Sequence, residues 1–345
     1  MTVQLEDIKR NAIACKLADM KALQNLIIAN EEILVDACPD REITNRLEKL
    51  LKDDRKNLGI LDTVIVQYGI KSEPKQTTQK QIQELEKLMK DSDLTLFEKV
   101  EKHELLKHTQ AMAGLLVHKA AQVVGADIAV AIAPLNAINF ENRAHEEQLR
   151  GMMEVLSTLE LTGKPSDSGL WSRVQDTIAA MSGIAGSILS RTDDEINIRD
   201  LIRLDHIKVN TLFAQIRATD EPLKLQEFFG QLYLDLTTNS EAEEQVLYPV
   251  MRPHFNDIQK LYDEQAEMRV ELDQIKSMNT ANTVDFKDAV QRLMSKVTIH
   301  MNEEERNLFR TIQDSLGDEQ QKSLATEFKT AKSKIQDQRK AEASH

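Results

Sequence analysis

The chain has 345 residues and a formal net charge of −13, long enough for one large core or two smaller ones. A surface of that sign repels phosphate backbones and anionic lipid, and no block of clustered Lys or Arg offsets it locally. The expectation is therefore no nucleic-acid and no membrane partner.

Glycine (11) and proline (7) make up about a twentieth of the residues, against roughly 12% in average usage, and aromatics are 4%, a composition that predicts long helices and few turns. The cysteines, Cys15 and Cys38, lack CxxC spacing, so neither a disulfide framework nor a thiolate metal site is expected. The longest apolar stretch, around Ile128 to Leu135, is far short of the ~20 residues a spanning helix needs. The opening MTVQLEDIKR has no apolar signal segment, and a cytoplasmic protein is expected.

Turn-forming clusters divide the chain into segments with apolar stripes at helical period and no strand-like alternation. The fold expected is all-α, two four-helix bundles in tandem. Residues 1–160 form the first bundle, with a short polar helix, about Thr77 to Met89, capping it. Residues 161–194 begin with LTGKPSDSGL and form a linker carrying a short amphipathic helix, Trp171 to Leu189. Residues 195–318 form the second bundle. Residues 319–345 form a helical extension whose end, KIQDQRKAEASH, is expected to fray.

In the first bundle, one helix aligns Ile13, Leu17, Met20, Gln24, Ile27, Glu31 and Leu34, and the next aligns Leu47, Leu50, Asp54, Leu58, Leu61 and Ile65, with Asn57 beside them. The third places Glu104 and His108 on the face of Phe97, Met112 and Leu115, and the fourth aligns Ile138, Glu141, His145, Leu149, Met152 and Leu156. His103, His118 and His254 fall off the stripes and read as surface. Two readings stay open for Asp54, Glu104, His108, Glu141 and His145: a metal site, or a buried hydrogen-bonded layer that fixes register.

The second bundle repeats the pattern with one polar interruption per helix. Its stripes run Ile202, His206, Val209, Phe213, Ile216; then Leu225, Phe229, Leu232, Leu236, Asn239, Glu243, Val246. They continue Ile258, Leu261, Gln265, Met268, Leu272, Ile275; then Phe286, Val290, Leu293, Val297, His300, Glu304, Leu308. Counted from the intervening turns, the interruptions meet near one level. A His and a Glu at i, i+4 are often an exposed pair. Two inward glutamates, however, need a cation or protons, because burying an unpaired carboxylate costs several kcal/mol.

The pieces LIRLDHIKVNTLF, NSEAEEQVLYPVM, YDEQAEM and HMNEEERNLF resemble the hemerythrin-like HHE cation-binding domains over roughly residues 197 to 315. In that family a helical bundle encloses two iron ions held by histidines and bridged by two carboxylates. The resemblance implies ligand positions at His206, Glu243, His300 and Glu304, with the glutamates as bridges. Asn239 and Gln265 stand where the family has histidines, and the oxygen-rich set that results favours Fe or Mn, in a dinuclear centre. The first bundle resembles ferritin-like bundles, although its His spacing is i, i+4 rather than i, i+3.

The resulting expectation is a non-haem metal-binding protein acting in iron or reactive-oxygen handling and stress protection, with dioxygen or peroxide as small partners. If it is an enzyme, a dimetal oxidase- or peroxidase/catalase-like activity follows. The alternative is a non-catalytic scaffold or sensor with decayed sites, and a third reading is a small apolar ligand held between helices. No GxGxxG, P-loop, nucleophile elbow or HExxH motif points to other chemistry.

Overall fold

The computed structural model describes residues 8–167, 169–184 and 196–343, and among these every regular element is helical. The first half comprises α1 (Ile8–Ala37), α2 (Arg41–Tyr68), α3 (Gln76–Lys90), α4 (Leu96–Val124), α5 (Ala126–Ala131), α6 (Leu135–Thr162) and α7 (Leu170–Ile184). The second comprises α8 (Ile198–Ala218), α9 (Pro222–Ala242), α10 (Tyr248–Met251), α11 (Ile258–Lys276), α12 (Thr283–Glu303), α13 (Phe309–Ser315) and α14 (Asp318–Ala343). The end of the helix expected to reach Leu189 lies outside the described residues.

Local chemistry sets the helix ends. Asp40 caps α2 by accepting from the backbone of Glu42 and Ile43, and Thr95 with Glu98 closes a reciprocal box at the start of α4. Asn197 and Asp200 do the same for α8, and Pro222 occupies the first turn of α9. Gly69 ends α2 at φ +87°, where a Cβ would sit 2.7 Å from the Asp235 carboxylate.

In each half a polar layer is sandwiched between two apolar cores. In the first half, one core joins Leu17, Leu61, Val117 and Ile138, and the other joins Leu34, Leu47, Val100 and Leu149. In the second half, Ile202, Leu247, Leu261 and Leu308 lie on one side, and Val209, Leu232, Met268 and Val297 on the other. Each fully buried side chain of this size contributes about 1.5–3 kcal/mol. Breaks in this stripe are therefore expensive and confined to one level.

The two halves are joined by buried polar contacts. The Lys208 ammonium of α8 donates to the carbonyls of Gln67 (2.7 Å) and Tyr68 (3.0 Å) at the C-terminal end of α2, where a cation complements the helix dipole. It also pairs with Asp235 at 2.9 Å. Arg10 of α1 bridges Asp127 of α5 and Glu227 of α9.

As far as Ala343, the C-terminal segment expected to fray is packed helix. α14 continues to Ala343, burying Phe328 and Ile335. Gln336 donates to the Val66 carbonyl (2.9 Å), and Arg339 binds Thr238 (2.9 Å) and Glu241 (2.5 Å). The polar sequence there reflects partners on both halves rather than solvation.

Candidate metal centre

The polar level of the second half brings together all six residues singled out from its stripes. His206 Nε2 lies 3.2 Å from Glu304 Oε2, and His300 Nε2 lies 3.7 Å from Glu304 Oε1. The Asn239 amide donates to Glu243 Oε1 (2.7 Å) and the Gln265 amide to Glu243 Oε2 (2.6 Å). Glu243 and Glu304 are each 1% exposed. His206, Glu243 and Glu304 each offer a ligand atom within 4.8 Å of the others, the one such group of three among the described residues.

Two departures from regular helix shape this level. Glu243–Leu247 and Glu304–Leu308 are π turns, each beginning at one of the paired carboxylates, with the N–H of Tyr248 bonded to the Glu243 carbonyl and that of Phe309 to the Glu304 carbonyl. The extra residue in each turn shifts the inward register by one. Leu247 and Tyr248 are buried where the 3.6 period had pointed to Val246, which is only partly buried. Sequence reasoning missed Tyr248 for this reason. Its hydroxyl lies 2.8 Å from Glu304, 2.7 Å from Gln265 and 3.4 Å from Glu243. A signal was available: EEQVLY and EERNLF are the same pattern at the two turns.

A second ring of carboxylates holds the imidazoles. Glu305 lies 2.7 Å from His206 Nδ1, and Glu264 lies 2.9 Å from His300 Nδ1, so each Nε2 faces the centre. Carboxylate-backed imidazole is the arrangement that orients metal-ligating histidine. Phe309 stacks on His206 with centroids 6.3 Å apart.

The charges are balanced by protons. Burial, and then the neighbouring Glu304 carboxylate, push Glu243 up to about 8. Burial alone would lower His206, but hydrogen bonds to Glu304 and Glu305 prevail and raise it to about 10. The donor set fits a divalent cation. Two buried carboxylates and two Nε2 atoms converge, while the Asn239 and Gln265 carbonyl oxygens are buried without a hydrogen-bond partner. A half-turn of each terminal amide would aim oxygen instead of N–H at a cation on Glu243.

In the first half the polar level is organised around a lysine. Lys107 of α4 is fully buried and pairs with Asp54, with His145 Nδ1 at 3.0 Å and with Asn142 Oδ1 at 3.2 Å. Gln24 donates to Asp54 Oδ1 (2.7 Å), and His103 Nε2 meets Glu31 at 3.2 Å. Asp54 and His145 therefore meet as the stripes indicated. Glu104 and His108 do not join them. The inward face of α4 carries His103 and Lys107, one residue away, and His108 binds Glu146 toward the surface while Glu104 pairs with the exposed Arg150. The surface reading of His103 is corrected: it is buried, and burial followed by the Lys107 charge lowers its pKa to about 3. Glu141 sits at the edge of the layer, raised by burial.

Residues 197–312 match the family model of the hemerythrin HHE cation-binding domain. A relative described as "DNA nickase", from Nostoc sp. (strain PCC 7120), is 54% identical over 340 residues, covering 97% of both chains. The chain belongs to that protein's family, and its C-terminal half is an HHE domain. No solved structure matches the chain.

The relative overturns the exclusion of nucleic acid drawn from net charge. A net charge sums the whole surface and is blind to distribution. No described helix is long and apolar enough to cross a membrane.

Proposed function

We propose that the chain nicks DNA and that its HHE domain holds a redox-capable divalent metal, Fe or Mn, in a dinuclear centre. The observation that carries the DNA reading is the match along almost the entire length to a protein described as a DNA nickase, which spans both halves and not the HHE domain alone. The metal reading rests on the buried His206, Glu243, Glu304 and His300 donors.

Burial separates the two roles. The paired carboxylates are 1% exposed, so a DNA backbone does not reach them, and the reactants proposed for the centre are small ones such as dioxygen or peroxide. The centre therefore acts on strand breakage through small reactants, or it stabilises the fold while hydrolysis occurs at the surface. The same burial favours a second reading, iron or reactive-oxygen handling in the cytoplasm during stress.

Supercoiled plasmid separates these readings. Purified metal-loaded protein should convert it to relaxed circles without linear product. Conversion that stops in anaerobic buffer with catalase identifies the centre as the source of the reactant, and conversion that continues identifies hydrolysis. No relaxed circle at protein excess refutes the nicking reading and leaves metal handling.

A further inference from the structure

The two π turns make the metal level a near-repeat with one chemical difference. Glu243 is followed five residues later by Tyr248, and Glu304 five residues later by Phe309. In regular helix a residue five positions on points well away from the first, whereas a turn closed by i→i+5 bonds returns it to the same side. Both aromatic rings therefore enter the interior. Phe309 stacks on His206, where an imidazole nitrogen is already supplied. Tyr248 reaches the place where Gln265 supplies only an amide.

The Tyr248 hydroxyl is fully enclosed by ligand-type atoms. It lies 2.7 Å from Gln265 Nε2, 2.8 Å from Glu304 Oε1, 3.4 Å from Glu243 Oε2 and 3.5 Å from His300 Nε2. A cation held by these carboxylates and His300 would have this oxygen among its neighbours. Phenolate is a hard, anionic oxygen donor, suited to trivalent iron and stronger than a neutral amide.

We propose that Tyr248 is a phenolate ligand of the centre, replacing the donor strength lost at Asn239 and Gln265. This rests on the metal-binding reading above. Binding exchanges the phenol O–H bond for an O–metal bond and releases the proton to solvent, and no electron is transferred in that step. The site would thereby prefer ferric over ferrous iron more than an all-imidazole shell does.

The test uses the full chain, loaded with Fe(II) anaerobically and oxidised with ferricyanide. Metal analysis gives occupancy, and visible absorption with resonance Raman reads the ligand. The expected result is a phenolate-to-Fe(III) charge-transfer band whose enhanced ring modes shift on incorporation of ring-deuterated tyrosine. Tyr248→Phe should abolish the band and weaken iron retention by about tenfold or more, while Tyr262→Phe, which alters the ring packed against Tyr248 at 5.0 Å, should keep it. Iron bound by the wild type without the band overturns the proposal and leaves the metal reading intact. A band that survives Tyr248→Phe also overturns it. Absence of bound iron in the wild type removes the metal reading and this ligand together.

Discussion

Replacing Lys107 with Met removes the positive charge at the centre of the first polar layer and leaves a side chain of similar length. Asp54 is then a fully buried carboxylate whose remaining partners are the Gln24 amide at 2.7 Å, His145 Nδ1 at 3.2 Å and the Glu31 carboxyl. Breaking a buried ion pair by removing one partner costs about 3–5 kcal/mol. These surviving partners place this case at the lower end, about 3 kcal/mol, or about a hundredfold in the folding equilibrium.

The sign with pH follows from Asp54. Burial alone would raise its pKa, but the Lys107 charge and His145 overcome burial and hold it well below the ordinary carboxylate range. That contribution is present above the range and is lost as pH falls through the folded value. Without Lys107, burial dominates, the carboxyl takes up a proton, and the gap between variant and wild type narrows as pH falls toward about 4.

The assay is urea unfolding followed by fluorescence of Trp171, the single tryptophan, which packs under Arg46 at 3.7 Å and so reports the first half. The combined variant Lys107→Met with Asp54→Asn should recover most of the loss, since no charge is then left unpaired. A gap below about 1 kcal/mol at neutral pH, or one independent of pH, would refute the assignment of Lys107 as the layer's counter-charge.

Other outcomes follow from the second half. Asn239→His with Gln265→His should raise iron retention, because both positions already face the centre; an unchanged iron content in the folded double variant would show that these side chains are not in ligand register. Metal binding must displace the proton on Glu243, so apparent affinity should increase with pH up to about 8, and Glu243→Gln should remove that slope in a titration of metal uptake. In the metal-free protein the raised His206 contributes stability that is present below its unfolded value and lost as pH rises to about 10, so unfolding midpoints should fall across that window, and the fall between about pH 8, where Glu243 has titrated, and pH 10 should shrink in His206→Gln. Lys208→Met should loosen the two halves by about 3 kcal/mol, seen as a second unfolding step, because it strips the counter-charge from Asp235 and the cation from the end of α2.

The second half was legible because its stripes are regular and each is interrupted once. Ile202 to Val209 and Leu261 to Met268 flank His206 and Gln265 with strongly apolar neighbours, so a polar residue stands out in register. The π turns were not legible from period, since one inserted residue per turn leaves composition unchanged; only the paired EEQVLY and EERNLF patterns carry the signal. In the first half, α4 has apolar residues around much of its circumference, with Leu105, Met112 and Leu116 exposed at 55%, 43% and 60%. Such a helix offers two stripes of similar quality. One contains Glu104 and His108, and the other, which is the buried one, turns His103 and Lys107 inward.

That inward lysine explains how the molecule treats buried negative charge in general. Asp54 has Lys107, Asp127 has Arg10, Asp205 has Lys332 at 2.6 Å, and Asp235 has Lys208. Glu31, which meets the neutral His103 and the Asp54 carboxylate, is pushed well up by burial and then by Asp54, so it is held as the acid. Glu243 and Glu304 combine them differently: the first is pushed up by burial, and the second, against burial, is held down by His300 and His206 rather than by a lysine or arginine. Among the described residues no lysine or arginine is paired with either, although Lys208 lies two residues from His206 and Lys332 binds its neighbour Asp205. Basic side chains that come that close are spent on aspartates outside the centre. The paired glutamates, joined by two carboxylate-backed imidazoles, are thus the place in the fold where the compensating charge must come from outside the chain, as protons when empty and as a metal when loaded.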